Sequence, residues 1–208
     1  MKDQIKIIIT DDKDGFRKII RENLVDYNIK TVAEAENGIM LLKQLASHSP
    51  DVILLDLEMP RMNGNITMHY LSTLYPDKSV VILSLYNDYE LMLDYEDRGA
   101  KGFITKDEVM GDFEQFAKII EKVRAGGKYF NKNPGTTKLN LTEIQKDIIF
   151  LNGSGMVRSQ IAEQLGVTAD GIGKQEKKIR EKMGVKGFIH YCSYIAKSGL
   201  EFLRPPNS

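Results

Sequence analysis

Two periodicities alternate along the first 125 residues. Short apolar runs, from Ile5 to Thr10, Ile29 to Ala35, Val52 to Leu57, Ser79 to Leu83 and Lys101 to Ile104, are separated by stretches in which apolar residues recur every three or four positions. Phe16, Ile19, Ile20 and Leu24 set that helical spacing in the first interval. Ile39, Leu42 and Leu45 set it in the second, which Asn37-Gly38 opens and Pro50 halts. Further helices are expected over about 65–75, 89–98 and 109–125, the last two closing on Gly99 and on Gly126-Gly127. Continuous apolar runs suit strands buried on both faces, as in a parallel sheet covered by helices. Five such strands alternating with five helices predict an α/β, doubly wound, five-stranded parallel sheet.

The pattern changes after residue 125. Residues 126–138 hold glycine, asparagine, proline and threonine with little periodicity and read as a linker, within which Tyr129 and Phe130 can dock on either side. From Leu139 the spacing is helical again, with Thr142 as an N-cap ahead of Ile144, Ile148, Ile149 and Leu151. A second helix is expected over about Arg158 to Leu165, a third from Thr168 to about Met183 and a fourth over about Phe188 to Ser198. The run Ser159 to Thr168 places a small Ala162 at the helix contact and Gly166 in the turn, the signature of a helix-turn-helix. The predicted organisation is thus residues 1–125 as one domain, 126–138 as linker and 139–208 as a small all-α domain of four helices.

Charge sharpens this division. Net charge is zero, but residues 1–138 carry 19 Lys/Arg against 22 Asp/Glu, and residues 139–208 carry 10 against 7. An acidic front and a basic tail point to nucleic acid as a partner of the tail. The lone Cys192 excludes an intramolecular disulfide and, with no signal-peptide core at the start and no apolar run of membrane-spanning length, sets the expectation of a cytoplasmic protein without a membrane partner. His48, His69 and His190 are scattered and are assigned no ligand role.

The chemistry lies at strand ends. In a doubly wound sheet of order 2-1-3-4-5, strands one and three flank the topological switch point, which brings Asp11, Asp12 and Asp56 to one crevice with Ser84 and Lys106 on the same rim. Crowded carboxylates raise one another's pKa unless a cation sits among them. Hard oxygen ligands with room for water suit Mg²⁺, and a lysine and a hydroxyl nearby suit a phosphoryl group.

This constellation resembles the receiver domain of two-component response regulators. The matching residues are Asp11-Asp12, Asp56 within Asp-Leu-Glu-Met-Pro-Arg-Met-Asn-Gly, Ser84, and Phe103 with Lys106 in Gly-Ala-Lys-Gly-Phe-Ile-Thr-Lys. The resemblance implies that Asp56 takes phosphate from a histidine kinase to form an acyl phosphate. It implies that Asp12, Asp56 and the backbone carbonyl of Glu58 hold Mg²⁺, with Asp11 acting mostly through water. Ser84 and Phe103 would be the switch pair and Lys106 the counter-charge. The Glu58 side chain, two positions after the nucleophile, is expected to tune metal affinity or phosphoryl lifetime. An Mg²⁺-dependent phosphohydrolase with an aspartyl nucleophile is the rival class. It usually carries that nucleophile on the first strand, and this chain is short of a substrate-binding cap.

Leu141-Thr142 together with the stretch from Ile161 to Met183 resembles the DNA-binding domain of the NarL/FixJ subfamily, which has a LuxR-type helix-turn-helix. The whole chain then reads as a phosphorylation-dependent transcription regulator, not an enzyme, and as a possible homodimer through a fourth helix bearing Tyr191, Tyr194 and Ile195. Lys174, Gln175, Lys177, Lys178 and Lys182 are the expected DNA-contacting residues. The family's early Thr-Val-Lys-x-His is here Gly171-Ile172-Gly173-Lys174-Gln175, so two side chains are missing where base edges are normally read. An output that binds a protein, with weakened sequence reading, is the alternative.

Overall fold

The computed structural model of the chain describes residues 3–85, 87, 89–130 and 141–183. By internal contacts the chain divides into two compact units, Met1–Asn133 and Pro134–Ser208.

The first unit is a parallel sheet in the order β2-β1-β3-β4-β5-β6, formed by β1 (Ile5–Thr10), β2 (Ile29–Ala35), β3 (Val52–Asp56), β4 (Ser79–Ser84), β5 (Gly102–Thr105) and β6 (Tyr129–Phe130). Around it lie α1 (Asp14–Leu24), α2 (Gly38–Leu45), α3 (Gly64–Leu74), α4 (Tyr89–Asp97), α5 (Lys106–Gly111) and α6 (Phe113–Arg124). Every residue of β3 is buried, as a central strand covered on both faces requires. Ile5, Ile7, Ile9, Leu54, Val81 and Leu83 pack with Ile20, Leu24, Phe116 and Ile120 in one core cluster. The register pairs Thr10 with Leu55, Asp56 with Leu83 and Ser84 with Thr105, so β1, β3, β4 and β5 all run out at one rim.

Two features differ from the sequence reading. The sheet has six strands, not five, because Tyr129 and Phe130, inside the stretch read as linker, pair with Gly102 and Phe103. Gly126, with φ of 87°, caps α6 in the left-handed region and turns the chain back along β5. The helix expected over about 109–125 is two helices and begins three residues earlier. Thr105 caps α5 through the Glu108 amide and receives the Glu108 carboxylate in return. Asp112, in an extended conformation, then ends α5 and caps α6 by accepting from the Gln115 amide at 2.9 Å.

The second unit contains α7 (Glu143–Gly153), α8 (Arg158–Gln164) and α9 (Ala169–Met183). Ile148, Ile149, Leu151, Ile161, Ala162, Ile172 and Ile179 are buried. The α8–α9 turn passes through Gly166, and the Thr168 hydroxyl caps α9 through the Gly171 amide at 3.1 Å. The expected fourth helix, with His190, Tyr191, Cys192, Tyr194 and Ile195, and most of the expected linker lie outside the described residues. No helix among the described residues is long and apolar enough to cross a membrane.

Candidate functional site

Asp11 follows directly on β1 and is fully buried, and Asp56 ends β3 with 1% of its surface exposed. Their charges are gathered by one lysine. Lys106, the first residue of α5, places Nζ 2.6 Å from Asp11 Oδ2 and 3.0 Å from Asp56 Oδ1. Asp11 Oδ1 accepts from the Lys13 amide at 2.8 Å, which ties the carboxylate to the entry of α1. Asp12 is less buried and pairs with Lys13 at 2.7 Å. The remaining oxygen, Asp56 Oδ2, is buried and has no hydrogen-bond partner among the described residues.

Burial pushes the Asp56 carboxyl up to about 7, aided by the charge of Asp11 and opposed by Lys106 and a backbone hydrogen bond at Glu58. Burial works against the charge on Lys106, yet Asp56 and Asp11 together hold its pKa above the ordinary lysine value. The site therefore has more negative than positive groups and one unsatisfied oxygen, the arrangement that a hard cation relieves. Oxygens of Asp11, Asp12 and Asp56 lie within 4.8 Å of one another. The donor set fits Mg²⁺.

A Cβ on Gly64 would fall 2.3 Å from the Asp56 carbonyl oxygen, so only glycine lets the start of α3 close over the end of β3. Arg61 takes up the left-handed region at φ 65°, and Asn63 caps α3 through the Ile66 amide. Ser84 is buried at the end of β4. Phe103 is buried on β5, its ring centroid 6.4 Å from that of Tyr95 on α4. The structure thus gathers Asp11, Asp12, Asp56 and Lys106 directly, sets Ser84 on the same rim, and points Phe103 inward beneath it.

One participant was missed in the sequence. Arg17 on α1 donates through Nη1 to the Asp11 carbonyl at 2.7 Å and through Nε to Glu34 at 2.9 Å, while Arg21 joins the same carboxylate. It braces the loop that carries Asp11. Its signal was an arginine directly after Phe16 and one turn before Ile20 and Arg21, which spacing alone does not distinguish from a solvated residue.

In the second unit the expected DNA-contacting residues fall on two flanks of α9. Gln175 accepts from Gln145 of α7 at 3.0 Å, and Lys182 donates to the same glutamine at 2.8 Å. Lys174 and Lys177 lie outward, in exposed pairs with Asp170 and Glu181. Lys178 is exposed.

Comparison with known proteins agrees with this layout. The family model described as response regulator receiver domain matches residues 7–118. The oxygen regulatory protein NreC of Staphylococcus carnosus is 26% identical over 220 residues, covering 94% of this chain and 99% of that protein. Among solved structures, RcsB of Salmonella enterica serovar Typhimurium, bound to a promoter in the presence of the phosphomimetic BeF3-, superposes with a TM-score of 0.67 at 22% identity, covering 93% of this chain and 98% of that one. A LuxR-family response regulator from Aurantimonas sp. SI85-9A1 superposes with a TM-score of 0.56 at 20% identity over 62% of this chain and 91% of its own.

Proposed function

The chain belongs to the response regulator receiver domain family, and on that premise we propose that it is a phosphorylation-dependent transcription regulator of a two-component system. An Asp56 carboxylate oxygen attacks the phosphorus of a kinase phosphohistidine. The P–O bond forms as the P–N bond breaks, and the imidazole leaves with its electron pair on the kinase. Asp12, Asp56 and the Glu58 carbonyl would hold Mg²⁺, with Asp11 acting through water; when bound, the ion would supply charge neutralisation for the incoming phosphoryl oxygens. Lys106 then exchanges part of its carboxylate pairing for the phosphoryl group, and Ser84 and Phe103 form the switch. Residues 139–208 deliver the output by binding DNA in the cytoplasm, as two-fold dimers on paired half-sites. Among the relatives, the promoter-bound RcsB structure supports such an output. The chain acts as a phosphoacceptor rather than as a turnover enzyme.

The observation that carries this reading is the lysine bridge between Asp11 and Asp56 beside an unpartnered Asp56 oxygen. Incubation of the full chain with Mg²⁺ and acetyl phosphate, followed by mass spectrometry, is expected to place one phosphoryl group on Asp56. Asp56→Asn should lose it completely. A label that survives that substitution would overturn the assignment.

A further inference from the structure

The core-facing side of α9 carries Ile172 and Ile179, both fully buried, and between them, on the same stripe, Glu176. Its side chain is only 8% exposed. A carboxylate at a core position must be paired, and its partner is Arg158, the first residue of α8, whose Nη2 donates to Glu176 Oε2. Arg158 itself is not buried: 53% of its side chain is exposed. Its guanidinium therefore spans from the core to the surface, and it does so across Gly173. A Cβ at Gly173 would come within 3.3 Å of Arg158 Cζ and Nη1 and 3.7 Å of Nε. At that spacing the guanidinium would have to give by a few tenths of an ångström. The missing side chain on α9 is the seat of an arginine supplied by α8.

The remaining donors are arranged for recognition. Nη2 carries one hydrogen on each edge of the guanidinium, so a single bond to Glu176 leaves the other edge complete, with two parallel N–H groups. Nε and Nη1 have no acceptor among the described residues. They lie against Gly173, the fifth residue of the second helix of a helix-turn-helix, toward the end from which base edges are read. Asp170, whose carboxylate feels the charge of Arg158, is itself paired with Lys174.

Resting on the reading that residues 139–208 bind DNA, we infer that Arg158 is a base-reading residue of this domain: it presents its free edge to the O6 and N7 acceptors of a guanine, held in orientation by Glu176 and admitted by Gly173. The two glycines of α9 then do not both mark a loss of recognition. At residue 173 the reading group comes from the neighbouring helix.

The test is a selection of binding sites from random-sequence DNA by the phosphodonor-treated full chain. The selected site is then titrated with each of its guanines in turn replaced by 7-deazaguanine. Removing Arg158 alone would strand Glu176 in the core, so the main variant is Arg158→Ala with Glu176→Leu, its folding checked by circular dichroism. Wild type should lose about ten-fold or more at one guanine on deaza substitution, in keeping with a bidentate pair. The double variant should bind the unmodified site that much more weakly and be indifferent to the substitution, while its affinity for scrambled DNA changes about two-fold or less. Gly173→Ala supplies an independent check with opposite signs: an equal or higher melting temperature, because alanine favours the helix, and reduced discrimination, because the guanidinium is displaced. If the double variant weakens on all sequences alike, or selects the same site with the same preference, Arg158 is not a reader and the inference falls while DNA binding stands. If the wild-type chain binds no DNA under these conditions, the output reading falls and the inference with it.

Discussion

The acidic rim of the sheet and the basic surface of α9 use charge in opposite ways. At the rim, Asp11, Asp56 and Lys106 are taken out of water and fixed by strand ends, so each depends on the others. On α9, Lys174 and Lys177 sit in solvent in i,i+4 pairs that water and salt can replace. Buried charge suits a site that must change state when one group is modified. Exposed charge suits a surface that must neutralise a long polyanion without needing exact placement. Arg158 is the exception on the second surface: a cation anchored in the core that reaches out of it.

Deleting one lysine on each side is the sharpest way to break this contrast. Lys106→Met takes the counter-charge from the buried Asp11 carboxylate and leaves Asp56 to hold its proton, and should lower the unfolding free energy by about 3 kcal/mol. Lys174→Met should change it by no more than about 0.5 kcal/mol. Urea denaturation of both variants in metal-free buffer measures the difference, and equal effects would remove the distinction.

Salt comes next in size. If about four phosphates are contacted, affinity for DNA should fall about 100-fold between 50 and 200 mM salt. The extent of Asp56 labelling by acetyl phosphate should hardly change over that range. A shallow DNA slope would mean that the lysines of α9 carry little of the affinity.

The smallest effect concerns pH. In the metal-free folded chain Asp56 keeps its proton up to about pH 7, whereas in the unfolded chain it loses it near the ordinary value of 3.8. The folded state thus holds the extra proton between those limits, and this group's contribution to stability declines as pH rises through that window. Asp56→Asn removes that contribution. Lys106 loses one partner as the buried charge is relieved, so the net gain at pH 8 should be only about 1 kcal/mol. Thermal melts of both proteins with a chelator, from pH 4 to 8, should show the two curves separating as pH rises; parallel curves would mean that Asp56 is already ionised throughout.

The same contrast governs what was legible in the sequence. Asp11, Asp12, Asp56, Ser84 and Lys106 were readable because the alternation of strands and helices fixes a parallel sheet, and chain order alone then brings their strand ends to one rim. The sixth strand was not, because two residues carry no period. Nor was the break at Asp112, where an extended residue sits inside an apolar periodicity that runs through it. Glu176 left a trace, a carboxylate between Ile172 and Ile179 on the core stripe. Its meaning depends on Arg158, eighteen positions away on another helix. Pairings of that kind are set by tertiary packing and leave no local pattern.

The two-residue strand β6 has a practical consequence. It covers the outer edge of β5, whose backbone would otherwise offer unpaired amides and carbonyls to any passing chain. A fragment cut after residue 125, where helical periodicity ends, would expose that edge and be prone to stacking edge to edge with its copies. One that continues through Phe130 keeps the edge closed. For this molecule the boundary of a well-behaved fragment is set by where the sheet stops, five residues beyond where the helix pattern does.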